Sequence, residues 1–112
     1  MNFDSHEHAD KIVNKGKFIE SLSEEQFNAG TIKFNIPRED DSSCGEGVWG
    51  WVTPEDKEKY DDNNYHGELV AILLNQPLNY FGKLNWGDEV KLKCHGESRP
   101  TLDPDWVRER LQ

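Results

Sequence analysis

Two segments of this chain alternate apolar and polar side chains with a period of two residues. Residues 31–36 read "TIKFNI", and residues 89–95 read "EVKLKCH", with Val90, Leu92 and Cys94 on one side. Successive side chains of a strand point to opposite faces of a sheet, so this pattern is typical of strands with one buried face. The two segments therefore predict a sheet that packs one face on a core and exposes the other.

Two further segments predict strands of the same sheet. Residues 48–52, "VWGWV", alternate tryptophan with smaller residues. Residues 66–74 contain the run "LVAILL", which is apolar on both faces of an extended chain. Such a run is typical of a strand that other elements cover on both sides. We therefore expect 66–74 to be a central strand.

The N-terminal part of the chain is predicted to be helical. Apolar side chains recur at roughly helical spacing through residues 1–29, although Gly16 weakens the middle of this pattern. Ser23 and Gln26 match a capping box, in which each side chain binds the other residue's backbone N–H. Gly30 suits the left-handed conformation that often ends a helix.

Two Thr/Asp-Pro pairs predict further helix starts. Thr53 precedes Pro54, and Asp103 precedes Pro104, so each pair offers an N-cap followed by proline at the first helical position. The chain is therefore predicted to be α+β, with a mainly antiparallel and strongly bent or barrel-like sheet. It would carry an N-terminal helical segment, a short helix after the Trp-rich strand and a C-terminal helix. We expect one domain over residues 1–112, with 1–30 helical and 31–112 sheet-rich.

The charge of the chain limits its partners. It has 22 acidic and 13 basic residues and a formal net charge of -9. Phosphate backbones and anionic lipid surfaces attract cationic proteins, so binding to nucleic acid or to a membrane is not expected. A basic protein would be attracted, because opposite fields raise the association rate. The simpler interpretation is that the charge only keeps the protein soluble.

The sequence predicts a cytoplasmic protein. Its N-terminus shows no basic region followed by an apolar one, the pattern of a secretory signal. The longest apolar run, residues 69–74, is far shorter than the roughly 20 residues that a membrane helix needs. In that compartment Cys44 and Cys94 are expected to stay reduced. A disulfide between them would require an oxidising environment.

The stretch "GEGVWGWV" combines three glycines with Trp49 and Trp51 in residues 45–52. Residues two apart on a strand share a face, so the two indoles are expected to point the same way. They can be core residues, with the glycines making room for them. They can also form a platform that stacks on a sugar, a base or a partner's side chain. Core packing is the favoured interpretation, with at least one indole edge exposed.

Three similar clusters place Cys or His before a Gly-Glu pair, at Cys44, at His66 and at Cys94-His95. If these strand ends converge, they can form a zinc site or a Cys nucleophile with a His base. The spacing matches no zinc motif, and neighbouring Cys94 and His95 would point to opposite faces of a strand. A structural role is favoured, so we predict no metal, no cofactor and no catalytic residue.

The segment "CHGESRPTLDPDW", residues 94–106, connects the last predicted strand to the last predicted helix. Arg99 precedes a proline, which holds it extended, and it has several carboxylates to pair with. The segment can be an ordered connection or a recognition loop beside the Trp-rich strand. Aromatic and arginine anchors carry most of the affinity of protein interfaces. The predicted contact residues are therefore Glu46, Trp49, Trp51, His95, Glu97, Arg99 and Trp106.

The segments "GEGVWGWV", "YHGELVAILLN", "LNWGDEV" and "CHGESRPTLDPDWV" resemble a group of small acidic bacterial domains of unknown function. Some of that group are proposed immunity proteins that neutralise polymorphic toxins. The resemblance covers roughly residues 44–107 and leaves out the N-terminal helical part. It implies a small sheet-rich fold and a protein partner, and it carries no catalytic residues.

These observations predict a non-enzymatic protein-binding module, in its most concrete form an immunity protein that neutralises a basic cognate toxin. One alternative is a small-ligand domain that binds a carbohydrate on Trp49 and Trp51. A second alternative is a small enzyme that depends on Cys44, His66, His95 and Glu97.

Overall fold

Five strands follow one another around a closed ring in the order in which they occur along the chain. This ring is seen in a computed structural model that describes residues 12–38, 45–80, 83–96 and 98–111. Within those ranges the strands are β1 (Thr31–Pro37), β2 (Gly45–Trp51), β3 (His66–Leu73), β4 (Glu89–His95) and β5 (Ser98–Leu102).

The ring closes through one parallel pair of strands. Strands β1 to β5 pair antiparallel in sequence, and β5 then pairs with β1 in parallel at Asn35 and Thr101. An up-and-down path through an odd number of strands leaves the first and last pointing the same way, so the closing pair must be parallel. The predicted α+β fold with a mainly antiparallel, strongly bent sheet is confirmed.

Four helices surround the ring in the described part of the chain: α1 (Gly16–Glu20), α2 (Glu24–Gly30), α3 (Pro54–Asp61) and α4 (Pro104–Leu111). The predicted capping box at the start of α2 is present, since Ser23 and Gln26 exchange side-chain-to-backbone hydrogen bonds. Thr53 caps α3, and the Asp103 carboxylate accepts from the Asp105 N–H at 3.0 Å at the start of α4. The short helix and the C-terminal helix are therefore confirmed.

The predicted N-terminal helical segment contains two short helices in its described part. Among its described residues, Asn14 forms a bridge with Asp88, and Asn14 also accepts a hydrogen bond from the Gly16 N–H at 2.9 Å. The chain becomes helical only from Gly16, and it breaks again before Ser23. The break occurs because the capping box at Ser23 starts a new helix. Residues 1–11 of the predicted segment lie outside the described residues.

The interior of the ring holds the main core. The alternation predicted for β4 is confirmed, because Val90, Leu92 and Cys94 are buried while Lys93 and His95 are exposed. The other buried members from the strands are Ile32, Phe34, Ile36, Val48, Leu69, Ala71, Leu73 and Leu102.

The strand β3 is covered on both faces over only part of its length. Residues 71–73 are buried, but Val70 is 43% exposed on the outer face. The prediction of a fully covered central strand is therefore wrong for its first half. The reason is that the outer face of β3 is covered only near its end, where Ile72 packs with Ile19 and Trp51.

The first half of β3 pairs with β4 along one edge, and its other edge meets α3 instead of a strand. The Asp56 carboxylate of α3 accepts the Val70 N–H at 3.2 Å, in the place of a ladder partner. Among the described residues, no helix is long and apolar enough to cross a membrane.

Candidate functional site

The two tryptophans of β2 lie on one face of the sheet, as predicted, but in different surroundings. Val48 and Gly50 point into the ring, and Trp49 and Trp51 point out of it. Trp51 is 6% exposed and Trp49 is 45% exposed. Core packing is therefore the correct interpretation for Trp51 alone, and a platform of both indoles is not available to a ligand.

Trp51 is covered by the two N-terminal helices. Its ring meets that of Phe18 edge to face, with centroids 5.4 Å apart. Its Nε1–H donates to the Gln26 carbonyl of α2 at 3.0 Å. Ile19 and Ile72 complete a small second core on the outside of the ring. This cluster fixes α1 and α2 against the sheet.

Gly30 has a role that differs from the predicted one. It is the last residue of α2, and the positive-φ glycines among the described residues are Gly87 and Gly96. A Cβ on Gly30 would lie 2.5 Å from both Trp51 Nε1 and the Val52 carbonyl oxygen. Glycine is therefore needed for the close approach of α2 to β2, and the predicted left-handed helix end is wrong.

An open cleft lies where α1 and α2 meet the start of α3. Its volume is about 790 Å³, which is within the range of small-molecule binding sites. Trp51, Phe18 and Leu22 supply apolar lining. Phe18 is 44% exposed, so part of this apolar surface faces water. The remaining lining residues are Ser23, Glu25, Gln26, Ala29, Gly30, Val52, Pro54 and Lys57.

The helices that flank this cleft are acidic. Residues 15–30 and 53–62 contain eight carboxylates and four lysines. Two of these lysines are paired within α3, Lys57 with Asp61 at 2.9 Å and Lys59 with Asp56 at 3.5 Å. The exposed carboxylates of these helices are Glu20, Glu24, Glu25, Glu55, Glu58, Asp61 and Asp62. The cleft is therefore an apolar depression between acidic helices, and the charged residues that line it are Glu25 and the paired Lys57.

The predicted contact residues do not form one surface. Trp51 lines the cleft, whereas Trp49 and Arg99 are exposed on the outer face of the ring. Glu46 is half-buried. Its carboxylate accepts a hydrogen bond from the Asn79 N–H at 2.5 Å, and this bond fixes the loop after β3. Trp106 is half-buried on α4 and stacks with Arg110 at 4.8 Å.

Of the remaining contact residues, His95 is exposed at the end of β4. Glu97 lies outside the described residues. The binding roles predicted for these side chains stay predictions.

The Cys/His clusters converge only in part. His66 pairs with His95 across β3 and β4, whereas the first residue of β2, Gly45, pairs with Pro37 at the end of β1. Cys94 points into the ring, whereas His95 points outward, as predicted. The described residues contain no group of three or more His, Cys, Asp or Glu side chains that could hold a metal. Cys44 lies outside the described residues.

Cys94 has the environment of a structural cysteine. It is 8% exposed and free. Burial raises the pKa of its thiol, and the nearby negative charge of Asp56 raises it further. A protonated thiol is a poor nucleophile and a poor metal ligand, so this site offers no support for Cys94 chemistry.

The thiol of Cys94 should make the protein less stable in alkali. The unfolded chain releases its thiol proton near pH 9.0, whereas the raised pKa delays this release in the folded chain to a higher pH, so raising the pH through 9.0 favours unfolding. The loss of stability should therefore appear between about pH 8 and about pH 10. Urea unfolding of the wild type and of Cys94→Ala at both pH values checks this, and equal pH dependence of the two proteins would contradict it.

Several residues of these surfaces were not predicted from the sequence. The sequence places Phe18, Leu22 and Glu25 on a helix without indicating that they line a cleft. It places Lys33 and Asn35 only on the exposed face of a strand. The alternation of β1 does place Lys33 and Asn35 outside. Their neighbours, however, depend on the register of β1 with β2, which pairs Lys33 with Trp49 and Asn35 with Gly47.

Comparison of the chain with protein-family models, with curated proteins and with solved structures found no match.

Proposed function

We propose that this protein is a non-enzymatic binding module that takes a basic protein partner on the cleft between α1, α2 and α3. The observation that carries the proposal is an apolar depression flanked by helices with seven exposed carboxylates. In the more specific form, an immunity protein, the partner would be a basic toxin whose active surface the complex covers.

The cleft has the two parts that a specific interface needs. Apolar and aromatic contacts in the centre of an interface supply most of the affinity, and charged residues at the rim set the partner and the association rate. Here Phe18 and the edge of Trp51 supply the centre, and Glu25 is the carboxylate that lines the cleft itself. A partner that inserts an apolar side chain and surrounds it with Lys and Arg would match this pattern.

We call Glu25 and the exposed carboxylates of the flanking helices the acidic rim. Because the partner is basic, complex formation should be sensitive to the charge at Glu25. In a pull-down from source-cell lysate with the tagged protein at low salt, Glu25→Lys should reduce recovery of the main basic partner by about tenfold or more. Glu109→Lys is the matched control, since Glu109 is exposed on α4 and does not line the cleft. Quantitative mass spectrometry of the captured proteins measures both. An equal loss with the two variants would contradict binding at the cleft.

Salt gives a second test of the same complex. Raising the salt from about 20 to about 500 mM shortens the screening length from roughly 20 Å to a few ångströms. The association rate of the captured partner should then fall by about tenfold or more, measured by surface plasmon resonance with the purified pair. A rate that does not change with salt would refute the role of the acidic rim.

A further inference from the structure

The outer face of the ring carries a cationic surface on this acidic protein. Lys33 of β1 and Arg99 of β5 both extend over Gly47 of β2. A point at the Cβ position of Gly47 lies 3.2 Å from Arg99 Nη1 and 3.8 Å from Lys33 Nζ. The exposed indole of Trp49 lies beside them, with Lys33 Nζ 4.6 Å from its ring centroid.

This arrangement is set by the backbone and by polar contacts. Gly47 leaves room for both cationic side chains, because a Cβ there would lie 3.0 Å from Lys33 Cε. Arg99 Nη1 donates to the Asn35 side chain at 3.2 Å, which orients the guanidinium and leaves its other N–H groups available. Among the described residues, no carboxylate forms an ion pair with Lys33 or Arg99.

Two positive side chains that approach one point repel each other, and an anion placed between them removes that repulsion. The chain has more carboxylates than cations, yet the described contacts of these two cationic groups are with an amide, a glycine and an indole. A carboxylate above Gly47 would accept charge-assisted hydrogen bonds from both cations. Trp49 offers an apolar surface to whatever group carries that carboxylate.

We propose that Lys33, Arg99 and Trp49 form a docking site for an acidic polypeptide segment, separate from the acidic cleft. The site lies on the outer face of a sheet and not in a pocket, whereas small molecules prefer concave sites, so a polypeptide segment matches it better than a small molecule. The occupant is a segment with a Glu or Asp side chain next to an apolar one. The protein would then present surfaces of opposite charge to two different partners.

The test uses the full chain and a fluorescein-labelled eight-residue peptide of the sequence Gly-Glu-Phe-Glu-Gly-Glu-Phe-Glu. Fluorescence anisotropy at low salt should show saturable binding, and the same peptide with Gln in place of each Glu should bind about tenfold more weakly or not at all. Lys33→Gln and Arg99→Gln should each weaken binding about tenfold. Lys17→Gln, an exposed lysine on α1, is the control for net charge and should have little effect.

Thermal unfolding of each variant shows that the substituted proteins are folded. Trp49→Ala should also weaken binding, although it leaves the charge unchanged. The proposal is wrong if the Glu peptide does not bind, or if Lys17→Gln weakens binding as much as Arg99→Gln. It is also wrong if inorganic phosphate at matched ionic strength displaces the peptide as well as unlabelled peptide does. A third result would also overturn the proposal: the peptide does not bind, but the protein associates with itself in a salt-sensitive way and Arg99→Gln abolishes this association. The surface would then be a contact between copies of this chain.

Discussion

Replacing Trp51 with alanine should lower the free energy of unfolding by about 3–5 kcal/mol, the range for a buried aromatic side chain. Trp51 is 6% exposed and packs in the cluster that fixes α1 and α2 on the sheet. The truncation would also leave the Gln26 carbonyl without its hydrogen bond from the indole. A protein of this size is stable by about 5–15 kcal/mol, so a large share of the total would be lost.

Trp49 is the matched control, because it is the same residue type two positions away on the same face. It is 45% exposed, and Trp49→Ala should change the free energy of unfolding by less than about 1 kcal/mol. Urea unfolding followed by circular dichroism measures both variants. If both variants were destabilised equally, the conclusion that α1 and α2 cover Trp51 and leave Trp49 exposed would be wrong.

Gly30→Ala should also destabilise the protein, by about 1–3 kcal/mol. In a helix, alanine is normally favoured over glycine by up to about 1 kcal/mol. Here the added methyl group would lie 2.5 Å from the Val52 carbonyl oxygen, which belongs to the backbone and cannot rotate away. The Val52 N–H also donates to the Gly30 carbonyl at 2.9 Å, so separating the two segments would strain this bond. Steric overlap therefore outweighs helix propensity.

Gly45→Ala is the control for this substitution. The nearest atom to a Cβ at Gly45 is the Ile36 carbonyl oxygen at 3.4 Å, an ordinary contact distance. The expected change is within about 0.5 kcal/mol of zero. Both variants can be compared by urea unfolding at neutral pH. If Gly30→Ala proved as stable as the wild type, α2 would not approach β2 as closely as described. The described arrangement of Gly30 and Trp51 in the cleft would then also be wrong.

The cleft between the helices and the surface formed by Lys33, Arg99 and Trp49 have opposite charge. The net charge of the chain is a single number and does not describe this separation. The helices α1 to α3 carry most of the described exposed carboxylates, whereas Lys33 and Arg99 meet on the outer face of the ring. The net charge of -9 therefore predicts the sign of only one of them. A protein with separated charge can attract a basic partner by one face and an acidic segment by the other.

Local patterns were sufficient to predict most of the elements. The alternation of residues 89–95 identified β4 and its buried side chains, because the period of a strand leaves only two possible faces. The cap at Thr53 and the capping box at Ser23 were also predicted correctly, since both depend on hydrogen bonds within four residues. The error at Gly30 arose because that glycine serves a contact with β2, which the local sequence does not record.

The sequence by itself determined which side of β1 and of β4 is apolar, where most of the helices begin, and that Trp49 and Trp51 share a face. The tertiary structure alone decided that α1 and α2 cover Trp51 and leave Trp49 exposed, and that Arg99 of β5 meets Lys33 of β1 over Gly47. The reason is physical. Side-chain direction follows from backbone geometry over a few residues, whereas burial and neighbouring charge depend on strand register and helix docking between segments far apart in the chain.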